Sequence, residues 1–245
     1  MFDPESLPEM KEAIKSCTLG QEKLLSEIRS QVRALSDDVR TIKPRTTTSV
    51  SLVASDGGNN KLVFDPFFVQ LVRVVDSYGK TLCLDAIAPT TDTDLVSQRQ
   101  FDDKGTPKTA LGKMMHDLGT KSLEDLSPMI PSGEEVRSDP TKINKSWVQV
   151  YRDLCEWAVL YERICYYPFA TDTLIVRDGL LRSKLFDREL FILWRKRVEE
   201  AIERIKREDH RKVLLVGLAK HSKVLDRYGL AFALEQTFPP SAPDT

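Results

Sequence analysis

Two Asp-Gly pairs close β-branched apolar runs in this chain. The first run is Ser49-Val50-Ser51-Leu52-Val53-Ala54-Ser55, followed by Asp56-Gly57-Gly58. The second is Asp172-Thr173-Leu174-Ile175-Val176-Arg177, followed by Asp178-Gly179. A buried strand that ends in Asp lifts a carboxylate to the rim of its sheet, and the Gly after it frees the backbone to turn away. Two such carboxylates on neighbouring strands repel each other unless a cation sits between them. Their hard oxygens suit Mg²⁺ or Mn²⁺. Asp-Gly is also a common turn dipeptide, so it is the recurrence of the pair after two strand-like runs that points to a site. A cation held by carboxylates keeps water ligands and accepts phosphate oxygens, which makes phosphodiester hydrolysis the expected chemistry.

Other residues could complete such a site. The helical run before the second Asp carries Glu156 and Glu162, both beside an apolar stripe of Leu154, Trp157, Leu160 and Ile164. Either could supply a third oxygen, or simply face solvent as most glutamates do. Lys220 follows the apolar run Val213 to Ala219 and would reach the same rim, where a point cation can hold a scissile phosphate. Arg177 is expected to point to the opposite face of its strand. The basic run from Arg195 to Lys212 is interleaved with Glu199, Glu200, Glu203, Glu208 and Asp209, and reads as a solvated helix face.

The elements that must position these residues follow from periodicity. Leu7, Met10, Ile14 and Cys17 make one helical seam, and Leu25, Ile28, Val32, Leu35, Val39 and Ile42 make a second. Gly20 separates them. Such a seam packs on its own domain or on a partner. After a linker at Pro44, strands are expected at Val50–Ser55, within Leu62–Ser77 and at Thr81–Ile87, the last two joined by a turn at Ser77-Tyr78-Gly79-Lys80. Residues 88–146 are rich in Pro, Thr, Asp, Ser and Gly and read as a partly ordered surface insertion, with a short helix at Thr109–Leu118. A helix from Trp147 to Pro168, a strand at Thr173–Arg177, a helix at Asp187–Arg207, a strand at Lys212–Leu218 and a last helix near Leu225–Gln236 complete the order. Three antiparallel strands followed by α-β-α-β is the strand order of a ribonuclease H-like α/β fold: a mixed sheet flanked by helices, here with an N-terminal helical segment. In that fold the first and fourth strands are neighbours, so Asp56 and Asp178 are expected side by side. The implied division is a helical interface segment at 1–44, a nuclease-like domain at 45–238 and a disordered tail at 239–245.

Composition bounds the partners. The 245 residues carry a net charge of −1, which gives no global attraction to nucleic acid, so any contact needs a local basic patch. The longest apolar runs are far too short to span a bilayer, and the acidic start Met1-Phe2-Asp3-Pro4-Glu5 has no apolar core of a secretory signal. Cys17, Cys83, Cys155 and Cys165 are scattered, with no Cys-x-x-Cys pair. Reduced cysteines in a cytoplasmic protein are expected, and zinc is not.

Three motifs in order resemble those of the NurA-domain nucleases, HerA-associated proteins of ribonuclease H-like fold. Ser55-Asp56-Gly57-Gly58 is similar to their Asp-Gly-Ser-type first motif, with Gly58 at the usual Ser. Ile175-Val176-Arg177-Asp178-Gly179-Leu180-Leu181 resembles their second strand motif. Leu215-Val216-Gly217-Leu218-Ala219-Lys220-His221-Ser222 resembles their apolar-Gly-apolar-x-Lys-x-Ser segment. The resemblance implies a Mn²⁺-dependent (or Mg²⁺-dependent) deoxyribonuclease that acts 5′→3′ on single strands and duplex ends. It also implies a homodimer docked on a HerA-like hexameric ATPase, in DNA end processing or phage defence. The family's glutamate lies a little under twenty residues before its second aspartate, which points to Glu162. The implied catalytic set is Asp56, Glu162, Asp178 and Lys220, with Asp56, Glu162 and Asp178 on the metal. The same scaffold would also serve a catalytically weak adaptor that regulates a translocase through its N-terminal helices.

Overall fold

The structure, a computed structural model, describes residues 7–39, 51–64, 67–76, 79–219 and 223–238. It is mixed α/β. Contacts divide the chain into two units, Thr48–Ala219 on one hand and Met1–Thr47 with Lys220–Thr245 on the other. The last helix therefore groups with the N-terminal helices, whereas the division read from the sequence keeps it with the sheet.

The larger unit is built on five strands: β1 (Ser51–Phe64), β2 (Phe67–Asp76), β3 (Thr81–Ile87), β4 (Thr173–Asp178) and β5 (Val213–Leu218). Their order across the sheet is β3-β2-β1-β4-β5. β1 and β2 pair antiparallel, as do β2 and β3, while β4 is parallel to both β1 and β5. One expectation fails here. β1 does not end at Asp56 but runs on through Gly57-Gly58, which pair with Val74 and Arg73 of β2. The physical reason lies in β2, whose Val69, Val72, Val74 and Val75 strongly favour an extended chain. A long partner of that kind holds even two glycines in the ladder.

The segment between β3 and the next long helix is the second correction. It is not a partly ordered surface insertion. It folds into α3 (Thr93–Gln98), α4 (Ala110–Asp117), α5 (Leu123–Leu126) and α6 (Gly133–Ser138). Each starts on a side-chain cap, from Asp92, Thr109, Ser122 and Ser132 respectively, so the polar residues that suggested a loop are N-cap residues. Val96, Leu111, Met114, Met115, Leu123, Leu126 and Ile130 are buried in the main core.

α7 (Trp147–Tyr166) is the centre of that core, with twelve of its twenty residues buried, more than a single face can hold. It packs on β1, β2 and β3, and on α4 and α8 (Leu190–Glu208). Its Trp157 meets Phe186, Phe191 and Trp194 edge-on, with ring centres 6.2, 5.4 and 4.8 Å away. Tyr167 is extended, as a residue before Pro168 prefers, and this ends the helix. α8 buries one stripe, Trp194, Val198, Ala201 and Ile205, and leaves its charged face exposed. Truncating a fully buried α7 residue such as Leu154 to Ala carries a typical cost of about 2–5 kcal/mol.

The smaller unit has α1 (Leu7–Leu19), α2 (Glu22–Leu35) and α9 (Lys223–Leu234). Ile28 and Val32 of the predicted α2 seam are buried against Ala231 of α9, with Tyr228 and Phe232 alongside. Arg29 and Arg33 both bond the Glu235 carboxylate, Arg33 at 2.6 Å. α1 buries none of its residues, and its Leu7, Ile14 and Leu19 are exposed. Among the described residues, no helix is long and apolar enough to cross a membrane.

Candidate functional site

The parallel ladder between β1 and β4 runs from Ser51↔Thr173 to Ser55↔Arg177. One further step in that register sets Asp56 beside Asp178. There β4 ends, while β1 continues paired with β2 alone, Asp56 opposite Val75. Asp178 thus occupies the carboxyl end of β4, where open α/β sheets bind ligands, and Asp56 lies where β1 leaves its pairing with β4. The Asp56 side chain lies outside the described residues.

The turn after Asp178 requires glycine. Gly179 has φ +110°, and its N–H donates to the Leu218 carbonyl at 2.8 Å. Gly217 lies under this turn so closely that a Cβ there would sit 2.6 Å from the Gly179 oxygen. The two glycines let the chain cross the end of β5 directly behind Asp178.

Arg177 is the central side chain at this end of the sheet, and its sequence signal was only that it precedes Asp178. It is 12% exposed. Its guanidinium lies 4.1 Å from the Trp157 ring centre, and Nη1 donates to the Asp178 and Leu180 carbonyls at 3.1 Å each. Nη2 approaches Glu156 at 3.7 Å. Burial pulls its pKa below the usual arginine value, while Glu156, Asp153 and Asp178 oppose that shift. Arg177 thereby clamps α7 to the turn after β4, a cation–π contact and two carbonyl bonds acting together.

The two α7 glutamates separate. Glu156 is the one at this end: it approaches Arg177 and also Arg152, at 3.5 Å. Glu162 sits six residues on, about 9 Å further along the helix axis. It bonds Lys113 of α4 at 2.7 Å, and this bond raises the Lys113 pKa. The structure therefore places Glu156, not Glu162, at the end of β4. Spacing in sequence could not separate them, because the partner that engages Glu162 comes from the segment read as a loose insertion. Lys220, with His221 and Ser222, lies outside the described residues.

A second surface joins the polar features of α7 and α8. Tyr166 and Tyr167, 44% and 49% exposed, leave the end of α7 side by side. Lys113 Nζ lies 5.1 and 5.8 Å from their ring centres. Arg163 lies 5.9 Å from the Tyr167 ring centre and 4.2 Å from that of Phe169. On one side, Tyr166 borders a cavity of about 590 Å³ lined by Arg197, Arg204 and Arg207. There Asp117 accepts from the Tyr161 and Tyr166 hydroxyls, at 2.9 and 2.8 Å. On the other, Tyr167 borders a cavity of about 550 Å³ with Lys80, Arg99 and Lys108. The basic run of α8 is thus not uniformly a solvated face. Arg195 pairs with Glu199 at 3.3 Å and Arg197 with Glu200 at 3.8 Å, while Arg197 and Arg204, seven residues apart, share the side of α8 that meets Tyr166. That heptad spacing beside a Tyr-Tyr pair was the available signal.

Two strand-end carboxylates are a sufficient protein donor set for Mg²⁺ or Mn²⁺, which commonly keep several waters. Among the described residues, no three His, Cys, Asp or Glu are grouped closely enough to hold a metal ion. Comparison with protein families, curated proteins and solved structures yields no match to the chain.

Proposed function

We propose that the chain is a metal-dependent DNA nuclease with a ribonuclease H-like scaffold, of the kind the NurA-domain motifs suggest. One observation carries this reading: the β1–β4 register that sets Asp56 next to Asp178 at one end of the sheet. The strand order β3-β2-β1-β4-β5, with three antiparallel strands followed by two parallel ones, supports it. In this reading Asp56 and Asp178 hold Mn²⁺ or Mg²⁺, and Glu156, in place of Glu162, is the α7 carboxylate that reaches the end of β4, through Arg177. The cation supplies charge that activates water and stabilises the leaving oxygen. Arg177 fixes the turn behind Asp178 and so orients that carboxylate. Lys220 serves the scissile phosphate. The Tyr166–Tyr167 surface, with cations on both sides, receives the strand, since aromatic faces and backbone-tracking charge are what unpaired nucleic acid needs. The helical unit offers α1 to a second copy and to a HerA-like hexameric ATPase, and the protein works in the cytoplasm.

A digestion assay tests the reading. Labelled single- and double-stranded DNA is incubated with Mn²⁺ and the wild type, Asp56→Ala or Asp178→Ala. Cleavage by the wild type that both substitutions remove supports it; Mn²⁺-independent cleavage, or cleavage that survives both substitutions, contradicts it.

A second reading, a catalytically weak adaptor, is favoured by one fact. Both α7 glutamates already have cationic partners, Glu156 in Arg152 and Arg177 and Glu162 in Lys113. In that case the wild type binds DNA or a translocase and leaves DNA intact in the same assay.

A further inference from the structure

Cys83 and Cys155 come from distant parts of the chain and meet in one place. Cys83 lies on the inner side of the edge strand β3, half-buried, and Cys155 lies on α7, fully enclosed. Both border the cavity of about 550 Å³ that opens beside Tyr167. β3 packs on α7, and each thiol perturbs the acidity of the other more than any other group does. Tyr151, one helical turn before Cys155, lines the same cavity and donates its hydroxyl to Asp85 at 2.9 Å. Lys80, Arg99 and Lys108 line the mouth of the same cavity. A half-buried thiol that shares a solvent-open cavity with a second thiol and has its pKa lowered by it has the surroundings of a reactive cysteine. The nuclease reading uses neither sulfur.

We propose that Cys83 and Cys155 are an oxidisable dithiol, which a hydroperoxide entering this cavity converts to a disulfide tying β3 to α7. The order of events follows from access. The Cys83 thiolate, the exposed partner, attacks the peroxide O–O bond. It becomes a sulfenic acid, and the second peroxide oxygen leaves as water. The Cys155 sulfur then attacks the Cys83 sulfur from inside, the S–O bond breaks, and a second water departs. Two thiols and one hydrogen peroxide give one disulfide and two waters, and an external dithiol reverses the change. The neighbouring Cys155 lowers the Cys83 pKa, against burial and Asp85, which suits the first step; Cys83 and then burial raise that of Cys155. The bridge closes a loop of about 70 residues, long enough to constrain the unfolded chain substantially. Cys165 is a built-in comparison: it also borders a cation-lined cavity, but burial lifts its pKa to about 12 and it contacts no second thiol among the described residues.

The test uses the full-length protein and hydrogen peroxide. Native protein is treated with a modest excess, free thiols are blocked with N-ethylmaleimide, and the chain is digested with trypsin under non-reducing conditions. The expected product is residues 81–99 cross-linked to residues 153–163, lost on treatment with dithiothreitol, with Cys17 and Cys165 still blocked by maleimide. The oxidised protein should also melt at a higher temperature than the reduced one. In Cys155→Ala, the Cys83 sulfenic acid should persist and be trapped by dimedone. The proposal is overturned if Cys83 goes to sulfinic acid in the wild type with Cys155 unmodified. Cross-linking of Cys83 to Cys17 or Cys165, or equal reactivity of all four cysteines, overturns it equally. The main measurement needs no variant, so a misfolded Cys155→Ala protein leaves it decisive.

Discussion

Arg177 and Asp178 are adjacent in sequence and divide the work at the end of β4 between them. Arg177 is drawn under Trp157 and into the turn, where its guanidinium holds two carbonyls. Asp178 alternates to the other side of the strand, beside the Asp56 position. Glu156 reaches Arg177, so this arginine links the helix carboxylate to the strand end. A test separates the two candidate third carboxylates. Glu156→Gln should lower cleavage or Mn²⁺ affinity by about 10- to 100-fold, the usual effect of disturbing a group just outside or on the edge of a metal shell. Glu162→Gln should change either by less than about threefold on the same basis, and should instead free Lys113. Mn²⁺ titration of both variants checks this, and a larger loss in Glu162→Gln would return the role to Glu162.

At the scale of elements, two surfaces make separate predictions. The Tyr166–Tyr167 surface should bind unpaired strand without any metal. Tyr167→Ala, and independently Tyr166→Ala, should weaken oligo-dT binding by about 1–3 kcal/mol, the usual value of one stacked base. Fluorescence anisotropy in EDTA reads this apart from cleavage, and unchanged binding in both variants would remove the surface from the account. In the helical unit, hydrogen bonds from Arg33 and Arg29 pull the Glu235 pKa from 4.5 down to about 2. The folded-state value is depressed, so this carboxylate stabilises α2 against α9 above its unfolded pKa. The contribution is lost as pH falls through about 4.5 towards about 2. Glu235→Gln should therefore flatten the acid side of the helical melting profile, followed by circular dichroism.

The same elements show what patterning can and cannot carry. The strands, the long helices and the pairing of β1 with β4 were legible because alternation, heptad spacing and strand order are local or topological signals. The passage of β1 through Asp56-Gly57-Gly58 was not, because it depends on a partner strand that the local residues do not encode. The four capped helices between β3 and α7 were hidden by their own caps, since Ser, Thr and Asp mark helix starts and turns alike. The choice between Glu156 and Glu162 turns on Lys113 and Arg177, two contacts no spacing rule contains. The α2 seam was legible as a seam, but its neighbour, α9, lies about 200 residues away in sequence, Arg33 to Glu235.

For the whole molecule, the near-neutral charge conceals local asymmetry. Three cations and two carboxylates border each of the cavities flanking Tyr166 and Tyr167, while the β1–β4 pair carries Asp56 and Asp178. In the proposed reading a DNA strand meets the first and is cut at the second. Among the described residues, the helical unit buries Ile28, Val32 and Ala231 in its own core and leaves Ile14 and Leu19 exposed, which fits a surface completed by a second copy. Ile14→Glu should then shift the protein from dimer to monomer by light scattering, with its helical content kept; a wild type that is already monomeric would contradict the proposed interface.

The central claim is that Asp56 and Asp178 share one divalent cation. Calorimetric titration of the apo protein with Mn²⁺, in the absence of DNA, tests it most directly. The account predicts one Mn²⁺ per chain in the wild type and loss of that binding in Asp56→Asn and Asp178→Asn alike, each variant keeping its fold by circular dichroism. A wild type that binds no Mn²⁺, or binding that survives in both variants, would contradict it.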